Sequence, residues 1–322
     1  AIHVVMVESN RRRVVAAEVA IAVLTGSQLL LAYPQYVLFS LLAEAAYAVF
    51  LGITRRYQAR DGCAERGTCG ECADCAPLAW LRLLVAKGLG VALGGVQFLP
   101  TLDLLQHSSR SGAGAAFADT GSLHPANLVQ WVAPYACKYR VVGTNTHELG
   151  AYLGMVPLVL IVWLLVRPGR LGSWRPRFGA LMLFGLIVLA LAFGRFTPLY
   201  AIQKSLPLVG MFRCPCRYMV LVQLAAAGLA AIGFGALVRD CLAKQPVAWR
   251  RFFALWLVLA LSVMVSVLAV LLRLREHPLA ASLELILAGP ALCAAAVLLL
   301  VAAARGKRWA LPGLILLTAV DL

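Results

Sequence analysis

Apolar runs of about twenty residues alternate with short polar intervals along almost the whole chain. A run of that length is what an α-helix needs to cross the ~30 Å hydrocarbon core of a bilayer. Taken in order, the runs predict spans at Val14–Tyr33, Tyr36–Ile53, Ala79–Leu99, Leu149–Val166, Phe178–Phe193, Tyr218–Val238, Phe252–Leu272 and Ser282–Ala304. A ninth starts near Trp309 and reaches the last residue. Pro34 separates the first two in the hairpin AYPQY, since it cannot continue a helix. The expected fold is all-α, a polytopic transmembrane bundle of about nine spans forming one domain over 1–322. Three polar intervals stand out: a cysteine-rich one at 54–78, a long one at 100–148, and a third at 194–217. Residue 1 is Ala and the final apolar run is unfinished at Leu322, so the chain reads as an internal fragment; no signal-peptide pattern is visible.

Composition agrees with the pattern. Charged residues make up 13% of the chain, against roughly 25% in a soluble domain, and the mean hydropathy is +0.85. The formal net charge of +15 invites a nucleic-acid reading. However, the Lys and Arg residues form neither one face nor a tail, but small groups between apolar runs, which argues against nucleic acid as a partner. Counted over alternate intervals, 18 fall in one set and 9 in the other, with Arg82 and Lys87 inside the third span, accounting for all 29. The positive-inside rule then places 54–78 in the cytoplasm and both 100–148 and 194–217 outside.

Most candidate chemistry lies between Leu93 and Tyr152. Asp103, His107 and Arg110 fall at i, i+4 and i+7, on one helix face. A carboxylate beside His and Arg can take a proton from a hydroxyl or orient a phosphate; a solvated interfacial helix with one ion pair has the same pattern. Glu148 opens the fourth span, where an acidic residue also suits the helix dipole. Glu44, inside the second span, is the sharper oddity, read either as a functional carboxylate or as a structural hydrogen-bond acceptor. Arg195, Lys204, Arg213 and Arg217 sit in the second outward interval against the positive-inside trend; they suit a lipid phosphate or pyrophosphate, or ordinary headgroup contact.

Cys63, Cys69, Cys72 and Cys75 form a C-x5-C-x2-C-x2-C run that can wrap a tetrahedral zinc, although the usual pair of separated CxxC knuckles is absent. A variable loop incidentally rich in cysteine is the plainer reading. Cys214 and Cys216 flank Pro215 at a helix start and read as small-residue positions. No Walker loop, GxSxG elbow, HExxH or dinucleotide fingerprint is present, so ATP-driven and soluble-hydrolase chemistry lack support.

The ordered landmarks AYPQYVLFSLL, GGVQFLPTLDLLQHSSRSG, ELGAYLGMVPLVL and FGRFTPLYAIQKSLPLVGMFRCPCRYMVL resemble the bacterial YfhO-like membrane proteins over about residues 20 to 235. Those proteins resemble the GT-C glycosyltransferases, which act on the outer side of the membrane with polyprenyl-phosphate sugars. The resemblance implies a partial GT-C-like scaffold in a bacterial cytoplasmic membrane, with an extracytoplasmic glycan or lipid as acceptor and membrane lipids as further partners. It favours Gln35, Gln97, Pro100, Asp103, Ser109, Arg110, Glu148, Tyr152, Gly154, Arg213, Pro215 and Arg217. Asp103 and Glu148 are then supporting catalytic candidates, and Gln97, His107, Arg110, Tyr152, Arg213 and Arg217 substrate-binding ones. The family usually has glycine and histidine where Ala32 and Tyr33 stand, and often glutamate at Asp103. Its catalytic acid lies in the first external loop, which here would precede residue 1. Some GT-C enzymes use a divalent metal; this sequence requires no cofactor. The rivals are a flippase for a lipid-linked saccharide, which predicts inverted repeats with broken helices, and a non-enzymatic scaffold with a zinc-stapled loop.

Overall fold

The computed structural model describes the chain except for residues 9, 32, 67–74, 108–118, 144, 146, 207–211 and 244–246, and the side chains of 56–66, 75–76, 102, 105 and 106. The protein is an all-α, multi-pass membrane protein. Among the described residues six helices are long and apolar enough to cross a bilayer: Arg11–Leu31, Pro34–Arg55, Gly172–Ala192, Pro215–Leu242, Trp249–Leu274 and Leu283–Ala304. Pro77–Leu93 and Gly95–Thr101, bent by 69°, make a seventh if counted together. The expected fourth span forms a helix of only 11 residues, short of the ~20 a full crossing takes; the expected ninth is helical over Ala310–Asp321. Two compact units result, Ala1–Ala113 and Gly114–Leu322.

The first unit contains α1 (Ile2–Val7), α2 (Arg11–Leu31), α3 (Pro34–Arg66), α4 (Cys75–Leu93) and α5 (Gly95–Gln106). Asn10 caps α2, its side-chain oxygen accepting from the Arg12 amide at 3.1 Å. The second expected span ends at Ile53, but α3 continues to Arg66. Arg, Gln, Ala and Glu dominate that extension and no proline interrupts it, so helix propensity carries it past the apolar run. Much of the interval 54–78 is therefore helical rather than loop.

α2 and α4 pack closely because glycines line their contact. A Cβ on Gly90 would lie 2.5 Å from Thr25 Cβ and 2.8 Å from the Ala22 carbonyl oxygen, and one on Gly94 would lie 2.5 Å from Leu29 Cβ. Small residues at such contacts let membrane helices approach and gain dispersion energy. Two consecutive glycines, Gly94 and Gly95, also mark the 69° bend.

The intramembrane charges of this unit are paired. Arg82 Nε lies 3.6 Å from Glu18 Oε1 on α2. Lys87 donates to Glu44 Oε2 and, at 2.9 Å, to Thr25 Oγ1. Ser40 donates to Glu44 Oε1 at 3.2 Å and accepts from Gln28 Nε2 at 3.0 Å. Glu44 is thus the centre of a network joining α2, α3 and α4. Pairing removes the cost of an isolated charge in hydrocarbon.

The second unit contains α6 (Met155–Leu165), α7 (Arg175–Ala192), α8 (Pro198–Lys204), α9 (Met219–Leu242), α10 (Phe253–Leu274), α11 (Leu283–Ala304) and α12 (Ala310–Asp321). Its core lies where α6, α9, α10, α11 and α12 meet, around Trp163, Leu237, Leu255, Val297 and Leu300. Trp163 stacks on Phe252 with ring centroids 5.3 Å apart. Gly233 of α9 faces the Leu160 carbonyl so closely that a Cβ would lie 2.8 Å from its oxygen. Leu183, Leu186, Leu257 and Leu268 point outward, as expected where the solvent is lipid.

The fourth span departs from expectation because 151–154 is not helical. Its polar backbone cannot be left unpaired at membrane depth. Buried Gln130 accepts from the Ala151 amide at 3.1 Å and donates to the Leu149 carbonyl at 3.2 Å. Gln223 donates to the Tyr152 carbonyl at 3.1 Å. Gly154 takes φ +91°, a conformation that suits glycine, immediately before α6. Met155 then donates its amide to Asp321 Oδ2 at 2.7 Å, so the short helix α6 is capped by a carboxylate at the far end of α12.

Candidate functional site

The second unit brings Glu148 and Arg217 together, two candidates 69 residues apart in sequence. Glu148 Oε1 accepts from Arg217 Nε at 3.0 Å and also from its Nη2. Glu148 Oε2 accepts from Asn145 Nδ2 at 2.8 Å, and the Glu148 amide donates back to Asn145 Oδ1 at 3.1 Å. The hydrogen bonds from Arg217 hold the Glu148 carboxyl below its ordinary value; partial burial opposes this, while the Cys214 thiol and the Arg213 charge add to it. Glu148 is therefore an ionised anchor and a weak base near neutral pH. The expectation that it sits in the first turn of the fourth helix fails, since α6 begins seven residues later, at Met155.

Local chain geometry holds this pair. Cys214 has φ +60°, a left-handed conformation costly for a residue with a Cβ. Its amide donates to the Thr120 carbonyl at 2.8 Å, and the Cys216 amide donates to the Gly121 carbonyl at 3.1 Å. Burial pushes the Cys214 thiol up, and its hydrogen bond to Glu148 pushes it further. Cys214 thus stays a thiol that donates to the carboxylate. Both cysteines are buried. Gly194, at φ +55°, closes the weave, because a Cβ there would meet Ser122 Oγ at 2.2 Å.

The other candidates separate into two groups. In the second unit, Arg213 is exposed beside this centre and its charge reaches Glu148. Lys204 pairs with Asp119 at 2.9 Å. Arg195 lies 5.0 Å over the Phe196 ring, which also meets His124 edge-on at 4.9 Å. His124 Nδ1 accepts from the Ala126 amide at 3.2 Å and so caps the turn Pro125–Trp131. The hydroxyl of Tyr152 donates to Asp321 Oδ1, so Tyr152 braces the start of α6 and does not offer that group to a substrate.

In the first unit, Asp103 Oδ1 and His107 Nδ1 lie 3.7 Å apart on α5, with both side chains about three-quarters exposed. That is the shared face their spacing predicts. Gln97 is exposed on the same helix. Arg110 lies outside the described residues. So does the zinc expectation: Cys69 and Cys72 are among those residues left out, and Cys63 and Cys75 belong to helical backbone whose side chains are not described.

Sequence reasoning missed Asp119, Asn145, Gln130, Gln223 and Asp321. Asp321 had a visible signal, a lone carboxylate in an apolar run. The amides had none, because an Asn or Gln is informative only once the backbone it serves is known.

A second ion-pair centre lies at the other end of α9. Asp240 is buried and accepts from Arg167 Nη1 with Oδ2, while its Oδ1 lies 3.2 Å from Arg170 Nε. Arg217 and Asp240 are 23 positions apart, roughly 35 Å of helix, so the two centres lie at opposite ends of a segment long enough to cross a bilayer. No family model, curated relative or solved structure matches the chain.

Proposed function

We propose that the chain is part of a membrane glycosyltransferase that moves a sugar from a polyprenyl-phosphate carrier to an extracytoplasmic glycan or lipid acceptor, in a bacterial cytoplasmic membrane. The observation carrying this reading is the Glu148–Arg217 pair with Arg213 beside it, at the end of α9 away from the arginine-dense intervals. Its further support is the landmark resemblance to YfhO-like proteins. Arg213 and Arg217 hold the carrier phosphate, a task that suits the guanidinium fork. Glu148 orients Arg217. In the other unit, Asp103, exposed with His107 at 3.7 Å, is kept as a separate candidate base for a hydroxyl. Glu148 is committed to Arg217 and Asn145 and lies beside guanidinium groups, a donor set poorly suited to a divalent cation.

The test follows label from a set of polyprenyl-phosphate sugars in membranes holding the parent, Glu148→Gln, Arg213→Ala or Asp103→Ala. Transfer by the parent that falls at least tenfold in the Arg213 and Glu148 variants supports the reading; transfer unchanged in all three sinks the site. A flippase is the second reading. It is favoured by the unwound stretch 151–154 before α6 and by the bent pair at Gly94 beside the Lys87–Glu44 network. It predicts movement of a lipid-linked saccharide between leaflets of reconstituted vesicles without any transfer product.

A further inference from the structure

At the Asp240 end of α9 a cleft of about 290 Å³ is lined by Arg170, Ser173, Trp174, Arg239 and Asp240. One wall is the pair of tight turns Pro168–Arg170 and Gly172–Trp174 that lead into α7. The other wall is the last turns of α9. Charge is not balanced here. Asp240 has both oxygens engaged, one by Arg167 and one by Arg170. Arg239 donates instead to the Arg170 carbonyl at 3.3 Å. Among the described residues, three guanidinium groups thus gather at one carboxylate, two of them paired with it and the third on a carbonyl, a local excess of positive charge. The excess acts on Arg167. Burial pushes its pKa down; Asp240 holds it up, and the charges of Arg170 and Arg251 push it down again. An added anion would relieve that repulsion.

The place of the cleft narrows what the anion is. It opens where α7 enters the bilayer, on the side that the Lys and Arg asymmetry assigns to the cytoplasm, the leaflet surface where anionic headgroups gather. Trp174 at its rim is 40% exposed and has the Arg177 guanidinium 4.9 Å over its ring. That amphipathic pair is typical of the membrane–water boundary. Beyond it, α7 presents outward Leu183 and Leu186, on which an acyl chain can lie. The volume accepts a phosphate with a small polar substituent. It falls just below the usual range of pockets that enclose whole drug-sized ligands.

We propose that this cleft binds the phosphodiester headgroup of an anionic phospholipid, with Arg170 and Arg239 on the phosphate and Ser173 and Trp174 at its rim. The site is independent of the transfer reaction proposed above.

The test uses the whole chain, purified in a neutral detergent, with phosphatidylglycerol and phosphatidylcholine titrated in and bound lipid counted by native mass spectrometry. The parent retains one phosphatidylglycerol in preference to phosphatidylcholine. Arg239→Ala weakens that binding at least tenfold, and Arg170→Ala with Arg239→Ala weakens it further, the scale expected for lost charge-assisted contacts. Arg250→Ala with Arg308→Ala removes two charges from the same surface without touching the cleft, and leaves binding within twofold. Far-ultraviolet circular dichroism identifies any variant that has lost its fold; Arg239→Ala, which leaves both Asp240 pairs intact, then carries the test alone. Three results overturn the proposal: equal retention of both lipids, equal loss in the control pair, or displacement of the lipid by millimolar inorganic phosphate, which would make free phosphate the ligand.

Discussion

Asp321→Ala is the substitution that most directly tests the logic of the second unit. Asp321 is 6% exposed and its carboxylate accepts from two donors, the partly buried Tyr152 hydroxyl and the buried Met155 amide. Hydrogen bonds to a charged acceptor contribute roughly 1.5–3 kcal/mol each, and an orphaned buried donor keeps its desolvation cost. Interhelical hydrogen bonds in membranes measure lower, about 1–2 kcal/mol or less, because the unfolded chain in lipid also finds partners. Weighing the two, removal of this carboxylate destabilises the unit by about 2–4 kcal/mol. Asp321→Asn keeps one carbonyl oxygen for the Met155 amide and loses the acceptor for Tyr152, so it costs roughly half as much. Equilibrium unfolding in detergent, followed by Trp fluorescence, measures both. A double-mutant cycle with Tyr152→Phe isolates the phenol–carboxylate term, expected at about 1 kcal/mol. The reasoning is refuted if Asp321→Ala stays within about 0.5 kcal/mol of the parent, or if Ala and Asn cost the same.

Two further outcomes follow from the same geometry. The carboxyl of Glu148 is held below its ordinary value, near 4.3 for glutamate, so the folded state binds its proton less readily than the unfolded state. The stability this pair contributes is full above that ordinary value and is lost as pH falls through the lower folded one. Acid unfolding of the parent and of Glu148→Gln should therefore converge at low pH and diverge toward neutrality. Gly90→Val places carbon where Thr25 Cβ would be only 2.5 Å away. Overpacking of that kind costs about 1–3 kcal/mol, and it also drives α4 from α2 at the turn that carries the Lys87–Thr25 bond. A lowered midpoint in thermal unfolding checks it; Gly88→Val, where no neighbour stands within 4 Å, should change little beyond helix propensity.

Fold class and the long spans were legible because both depend on hydropathy summed over twenty residues, a property of the chain alone. Those sums identified α2, α7, α9, α10 and α11 within a few residues. They failed at Leu149–Val166 because an apolar run also fits an unwound stretch when side chains can satisfy its backbone. Gln130, Gln223 and Asp321 do so from 19, 71 and 166 or more positions away. They failed at Ile53 for the converse reason, since a helix does not stop where hydrophobicity stops.

At the candidate site, the residue types and one helix face could be read directly. Asp103 and His107 meet as their i, i+4 spacing requires, because a helix is a local object. The union of Glu148 with Arg217, the commitment of the Tyr152 hydroxyl to Asp321, and the pairing of Arg167 and Arg170 with Asp240 join residues 69 or more positions apart. Hydropathy summed along the chain determines which long segments are membrane-crossing helices. Which charges then face one another depends on how the helices pack, and that is set by steric fits such as Gly233 against the Leu160 carbonyl. Packing is a property of pairs of segments, and only the tertiary structure decides it.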